Sequence, residues 1–206
     1  MKKLSSDEKI TIQSYDKNAN EWAKDHAHEI RWYSYIKKFN QLLPSGKIIE
    51  IGSGGGRDAK QLIKIGYEYI GIDASEGLLA IARKNNPGAK FLGQNVYQLD
   101  FLDISFDGFW CVATLLHLPK NKINTALSEI HRVMKPSALG FISVKKGRGE
   151  RLVYEPPPDE TRFFAFYHPE EFKTILTQNG FEIISFEEVS KSNKTTWLIY
   201  FVKAKK

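Results

Sequence analysis

Ile48-Ile49-Glu50-Ile51-Gly52-Ser53-Gly54-Gly55-Gly56 decides how this 206-residue chain is read. Four residues, three of them isoleucine, predict a buried parallel strand. Glycines at 52, 54 and 56 then predict a tight turn, because only a residue without Cβ enters such backbone conformations freely. Arg57-Asp58-Ala59-Lys60-Gln61-Leu62 opens an amphipathic helix whose first N–H groups face the turn. Strand, glycine turn and helix start together suit a nucleotide-like ligand, set against the plainer reading of a tight turn with none.

The spacing narrows the ligand. The dinucleotide fingerprint is G-x-G-x-x-G, whereas here the third glycine comes one residue early and Arg57 stands in the expected place. Glu50 adds an acid two residues before the first glycine. The resulting E-x-G-x-G-x-G resembles motif I of the class I S-adenosylmethionine (SAM)-dependent methyltransferases. The resemblance implies that Glu50, Gly52, Ser53, Gly54 and Gly56 form the loop against the methionine end of SAM.

Further motifs follow at matching intervals. Tyr67–Asp73 reads as strand two and ends on an acid 21 residues after Gly52, where a nucleotide-binding sheet places its ribose carboxylate. Gly71-Ile72-Asp73-Ala74-Ser75 resembles motif II, with Asp73 and Ala74 at the cofactor and Ser75 as the N-cap of a helix to about Lys84. Lys90–Gly93 is a short strand three. In the family an Asp near Asn95 accepts from the adenine amino group. Asn95, beside Val96, keeps an acceptor oxygen without the charge. Phe106–Ala113 is strand four, its Phe106-Asp107-Gly108-Phe109 start resembling motif IV, with Ala113 at the cofactor end. Leu139–Val144 is strand five, after a helix from about Asn121 to Met134. Met134–Gly140 is similar to the L-K-P-G-G-x-L pattern, with Ser137 and Ala138 in place of the glycines.

Residues 1–45 read as a helical cap, with helices from about Asp7 to Asp25 and Glu29 to Leu43. Tyr15-Asp16-Lys17-Asn18-Ala19-Asn20-Glu21-Trp22 resembles the Y-D-x-x-A-x-x-Y/W segment before motif I, which implies Tyr15 over the SAM site. Trp32 and Phe39 read as packing residues. His26 and His28 read as surface residues rather than metal ligands, since residues two apart share no helix face. Residues 46–144 form the expected SAM-binding core. At the other end, residues 167–206 supply a helix to about Gln178 and a hairpin of Phe181–Val189 with Thr195–Val202. The whole is expected as one α/β domain, a doubly wound seven-stranded sheet of order 3-2-1-4-5-7-6 with strand 7 antiparallel.

Residues 145–166 are polar and carry Pro156-Pro157-Pro158, so they read as a segment without regular structure, either a substrate lid or a solvated, partly disordered insertion. Lys145, Lys146, Arg148, Arg151 and Arg162 give that segment its charge. Arg148 and Arg162, with Tyr167, are the expected contacts to an anionic acceptor, since the arginine fork grips a carboxylate or phosphate through two bonds. His117, at the carboxyl end of strand four, and His168 are the candidate general bases, each also readable as structural. The resemblance implies methyl transfer to an O, N or S atom of a small molecule. Motif IV lacks the N-P-P-Y/F of adenine or glutamine N-methylation, and no Pro-Cys pair suits cytosine C5 chemistry. A silent SAM-binding module, an RNA or protein methyltransferase and an NAD-dependent oxidoreductase are the rival readings.

Composition bounds the rest. Hydrophobic residues make up 42% and charged residues 26%, a soluble globular balance. No apolar run is long enough to span a bilayer, and no signal-peptide pattern opens the chain, so the expectation is a cytoplasmic protein without a membrane partner. Net charge is +6, but the lysines are spread along the chain, so nucleic acid is not the expected partner. A single cysteine, Cys111, leaves no disulfide and no zinc cluster.

Overall fold

A computed structural model describes residues 4–26, 32–155, 160–192 and 195–206. The first three helices are α1 (Ser6–Lys17), α2 (Ala19–His26) and α3 (Tyr33–Leu42). Then come β1 (Lys47–Ile51), α4 (Arg57–Ile65), β2 (Glu68–Asp73), α5 (Glu76–Asn85), β3 (Lys90–Gly93), β4 (Phe106–Val112) and α6 (Ile123–Val133). The remaining elements are β5 (Met134–Lys145), β6 (Glu150–Glu155), β7 (Glu160–Ala165), α7 (Pro169–Gln178), β8 (Phe181–Ser192) and β9 (Thr195–Ala204).

The main sheet has the order β3-β2-β1-β4-β5-β9-β8, which is the expected 3-2-1-4-5-7-6 once the separate pair β6–β7 is set aside. Pairings from β3 through β5 are parallel, and β9 runs antiparallel to both β5 and β8. Order reverses between β1, which is flanked by β2, and β4, so the crevice beyond their carboxyl ends is the switch point where such sheets hold ligands. The core is aromatic on the side that α3 covers. Trp110 stacks on Phe141 at 4.0 Å, and Phe39 meets Trp110 edge-on at 5.5 Å. Trp32 and Phe39 are both buried, as packing residues should be. Cys111 is buried in β4, where burial pushes its thiol up to about 12, far from a nucleophile's range.

Three local expectations are corrected. The single first helix is two, because the chain breaks at Asn18, whose side-chain amide donates to the Ser14 carbonyl at 3.1 Å and ends the turn. Strand five begins at Met134 rather than Leu139. Pairing with β4 shifts register between Phe106 and Gly108, and Pro136 and Ser137 fill the extra length. Ser137 there takes φ 62°, a left-handed value at one of the places where the related pattern has glycine. The supposed structureless lid is a hairpin, with β6 and β7 paired antiparallel from Glu150↔Ala165 to Glu155↔Glu160. Strand-favouring residues, Leu152-Val153-Tyr154 on one side and Thr161 with Phe163-Phe164 on the other, give it strand character despite its charge. Its proline run and His28 lie outside the described residues.

Candidate active site

The glycine turn has the geometry its composition demands. Gly52, Gly54 and Gly56 all have positive φ, of 74°, 51° and 78°. A Cβ on Gly52 would lie 2.1 Å from the Thr114 hydroxyl oxygen, so the turn packs directly under the end of β4. Gly56 has a different task. Its carbonyl accepts from Asn86 Nδ2 at 2.9 Å, and a Cβ there would meet Asn86 at 2.5 Å. Gly56 therefore brings α4 against α5 and does not face the cavity.

That cavity holds about 560 Å³ and runs along the carboxyl ends of β1, β2, β4 and β5. At one end lie Gly52–Gly55, Asp73, Ala74, Asn95, Val96 and Ala113. At the other lie Tyr15, Leu116, His117, Lys145, Arg162, Phe164 and Trp197. The first group is acidic and backbone-rich, the second aromatic and basic.

Asp73 organises the acidic end. Its carboxylate accepts from the Gly54 N–H at 2.8 Å and the Ser75 N–H at 2.9 Å, fastening the glycine turn to the end of β2. Burial raises its pKa above the ordinary aspartate value, against those backbone N–H groups. Glu50 is buried and accepts from the Tyr69 hydroxyl, and burial with the nearby Asp58 pushes its carboxyl well up. Asp58 is held by Arg57 at 2.7 Å and by Trp110 Nε1 at 3.0 Å. Ser53 lines the cavity with a buried hydroxyl that has no hydrogen-bond partner among the described residues. Ala113 takes φ 53°, a strained value for alanine, and its N–H points back to Ser143. The Asn95 side-chain oxygen, expected to meet adenine, accepts from the Tyr97 N–H at 3.0 Å and so folds onto its own loop.

At the basic end, donors and acceptors form an ordered chain. Arg162 Nη1 donates to the Tyr15 hydroxyl oxygen at 3.1 Å. Tyr15 lies 3.0 Å from His117 Nε2, and His117 Nδ1 lies 2.7 Å from the Phe163 carbonyl. A carbonyl only accepts, so Nδ1 carries the proton and Nε2 accepts from Tyr15. Burial lowers the His117 pKa to about 3, with Arg162 and Lys145 adding to the fall against the Phe163 hydrogen bond. Burial likewise raises the Tyr15 hydroxyl. Arg162 also pairs with Glu160 at 3.1 Å.

The other expected contacts stand elsewhere. Arg148 is exposed in the turn before β6 and does not line the cavity. Tyr167 is fully buried, packing on Phe172 at 4.7 Å between ring centroids, a core position. His168 is exposed as the N-cap residue of α7, with its own N–H donating to Glu171 at 3.1 Å. His26 is half-buried and stacks on Trp22 at 4.2 Å beside the cavity, which corrects its reading as a plain surface residue. Trp22, Phe164 and Trp197 also line the space, and the Trp22 indole N–H is buried without a partner among the described residues. Trp22 did carry a signal, since it closes the Y-D-x-x-A-x-x-Y/W segment, but Trp197 sits on a plain apolar strand.

Comparison with known proteins places this geometry. Residues 49–142 match the methyltransferase domain family. An uncharacterised protein of Methanocaldococcus jannaschii is 31% identical over 193 residues, covering 87% of this chain and 89% of that one. The O-methyltransferase rstn1 of Aspergillus nomiae is 28% identical over 161 residues, 69% of this chain and 67% of its own length. The chain belongs to the class I SAM-dependent methyltransferases. The fold of this methyltransferase also matches the 1,6-didemethyltoxoflavin-N1-methyltransferase of Burkholderia thailandensis, solved with its substrate and S-adenosylhomocysteine. That match has a TM-score of 0.78 at 18% identity, covering 100% of this chain and 93% of the other. SAM is therefore the methyltransferase's cofactor. Among the described residues no helix is long and apolar enough to cross a membrane.

Proposed function

We propose that this methyltransferase transfers the SAM methyl group to an O, N or S atom of a small, anionic acceptor seated between Tyr15, Lys145 and Arg162. The observation that carries the reading is the division of one cavity into an acidic, backbone-lined end and a basic, aromatic end. Asp73 suits the ribose hydroxyls, since each carboxylate oxygen keeps a lone pair beyond the backbone N–H it already accepts. Gly52 and Gly54 let a ligand lie against the backbone, and Ser53 and Trp22 offer buried polar atoms that have no partner among the described residues. Glu50 supports the turn from below. Ala74, Val96 and Ala113 complete the apolar walls, and Asn95 contributes its loop rather than a dedicated acceptor. SAM supplies a methyl already activated by its sulfonium, so the protein's part is to hold the acceptor in line at about 3–3.5 Å and exclude other poses. Relatives with small acceptors support the choice of substrate class: the aligned proteins include O-methyltransferases of fungi and a phosphoethanolamine N-methyltransferase of Caenorhabditis elegans.

The test is methyl transfer from labelled SAM into a cell extract split by size and then by anion exchange. Label entering the small anionic fraction is the expected result. Label confined to protein or RNA refutes the substrate class, and no transfer with SAM bound refutes catalysis.

A further inference from the structure

We propose that the acceptor is an acidic nucleophile of the phenol, enol or thiol kind, which binds and reacts as its anion beside Lys145 and Arg162, with no side chain of the site taking its proton. The inference deepens the anionic-acceptor reading above and rests on it. Its starting point is that no histidine among the described residues is placed to act as the base: His168 is exposed outside the cavity, His26 stacks on Trp22 beside Gly54 at the glycine turn, and His117 is engaged within the protein. His117 uses both ring nitrogens, Nδ1 on the Phe163 carbonyl and Nε2 on the Tyr15 hydroxyl. Arg162 fixes the direction of that chain, because its donation to the Tyr15 oxygen leaves the phenol proton pointing at His117. A further proton on His117 would break the Tyr15 bond and add a third positive charge beside Arg162 and Lys145. Burial first, and then the Arg162 and Lys145 charges, lower the His117 pKa in the same direction.

The carboxylates fare no better as bases. Glu160, on β7, is paired with Arg162 at 3.1 Å. Glu8, on α1, gives Oε2 to Lys122 at 2.8 Å and to the Ser5 N–H at 2.8 Å. Its Oε1 is buried without a partner among the described residues, but those contacts lower its pKa despite its burial and make it a weak proton acceptor. Asp73, on β2, belongs to the acidic end, where its remaining lone pairs are assigned to the ribose hydroxyls. What the basic end offers instead is charge and a flat surface. Lys145 Nζ lies 4.0 Å from the centroid of the Phe164 ring and 5.9 Å from that of Trp197, and the Arg162 guanidinium lies 5.5 Å from that of Phe164. Cations beside aromatic faces suit a planar conjugated anion, which meets the charge with its ionised atom and the rings with its face.

The step balances without a proton acceptor. The anion's lone pair forms the bond to the methyl carbon as the carbon–sulfur electrons return to sulfur. One negative and one positive charge become two neutral groups, and the acceptor's proton has already passed to solvent on binding. His117 is then a positioning residue that holds Tyr15.

The probe is 4-nitrophenol, whose anion alone absorbs in the visible, titrated against protein saturated with S-adenosylhomocysteine. The expected result is saturable binding as the coloured anion, with the bound probe ionising about 1–3 pH units below its value in buffer. Lys145→Gln and Arg162→Gln should each weaken binding about tenfold or more and return the ionisation toward the buffer value. His117→Gln should keep the downward shift. A bound probe that stays colourless, an absence of saturable binding, or a shift abolished by His117→Gln alone would each overturn the proposal. Calorimetry of S-adenosylhomocysteine on the same samples separates the two levels: if it binds and the probe does not, the acceptor inference falls and the cofactor reading stands.

Discussion

Replacing Asp73 by Asn separates what this carboxylate does for the fold from what it does for the cofactor. Its two oxygens accept from Gly54 and Ser75 at 2.8 and 2.9 Å, so a stabilising role is visible in the structure. Its pKa nevertheless lies above the ordinary aspartate value, with burial the first cause. The sign follows from linkage. A carboxyl whose folded pKa exceeds its unfolded one keeps its proton longer in the folded state, so stability falls as pH rises from the unfolded value through the folded one. The buried charge on Asp73 is therefore held at a cost to stability. Asn removes the buried charge but turns one amide N–H toward a backbone N–H, so gain and loss offset to within about 1 kcal/mol, or a few degrees in Tm for a chain of this size. SAM has no such compensation. A ribose hydroxyl loses its bond to a charged acceptor, about 1.5–3 kcal/mol, which weakens Kd roughly 10- to 150-fold. Calorimetry with SAM and thermal melts on the same sample measure both quantities. A folded variant binding SAM within about twofold of the parent would refute the ribose role. A fall in Tm of about ten degrees or more would show that the carboxylate is chiefly a fastener of the turn.

Three further outcomes follow from the same geometry. Gly52→Ala combines φ 74° with a Cβ 2.1 Å from Thr114, so urea titration should show a loss of about 3 kcal/mol or more. Gly88→Ala, at φ 92° with open space around it, should cost only the backbone part, about 1–2 kcal/mol, and equal losses would mean that the approach to Thr114 carries no weight. His117→Gln should make acid unfolding shallower: between its ordinary value of 6.5 and about 3 the unfolded imidazole takes a proton that the folded one refuses, so the parent loses stability as pH falls through that range, by up to about 1.36 kcal/mol per pH unit. Parallel stability curves below pH 6.5 would contradict the neutral, locked imidazole. Trp22→Phe removes a buried N–H that has no partner, so stability should hold or rise while SAM affinity drops about three- to tenfold, and unchanged affinity in calorimetry would take the indole out of the cofactor site.

What was legible in the sequence depended on whether the signal was local. The strand, glycine turn and helix around Gly52 are set by adjacent residues, and Asp73 ends its strand at a fixed spacing, so both were readable. Gly56 looked like a ligand glycine, yet its partner Asn86 caps the end of the next helix and nothing nearby announces it. Residues 145–166 show the opposite error, since charge and prolines hid the β-branched and aromatic residues that favour strands. Within that segment Arg148 and Arg162 look equivalent, but only Arg162 sits in a paired strand aimed at Tyr15, 147 residues earlier. The His117 chain is similarly remote, joining residues 102 and 46 positions apart. Tyr167 and His168 were drawn into the site by nearness in sequence, while packing sends one into the core and the other to a helix end.

The helix α1 links these remote parts, and its attachment explains why the two ends of the cavity belong together. Its buried face is polar, with Glu8, Thr11 and Ser14 turned inward. Thr11 Oγ1 accepts from the Phe163 N–H at 2.8 Å on β7, and Tyr15 meets His117 and Arg162 at the basic end. Asp16 accepts from the Ser75 hydroxyl at 2.6 Å and the Gly77 N–H at 2.9 Å, capping α5 directly behind Asp73. Each such bond contributes about 1 kcal/mol, so the helix is seated by a few specific contacts rather than by a broad apolar stripe. Asp16→Ala should therefore cost about 1–2 kcal/mol, as loss of a helix cap does. It should also speed hydrogen exchange along the whole of α1, not only at its last turn. Adding S-adenosylhomocysteine to the parent should slow exchange in α1 and in the β7 strand it holds, because a ligand at Asp73 favours the seated helix that also positions Tyr15. Protection confined to the glycine turn would show that the two ends of the cavity are independent.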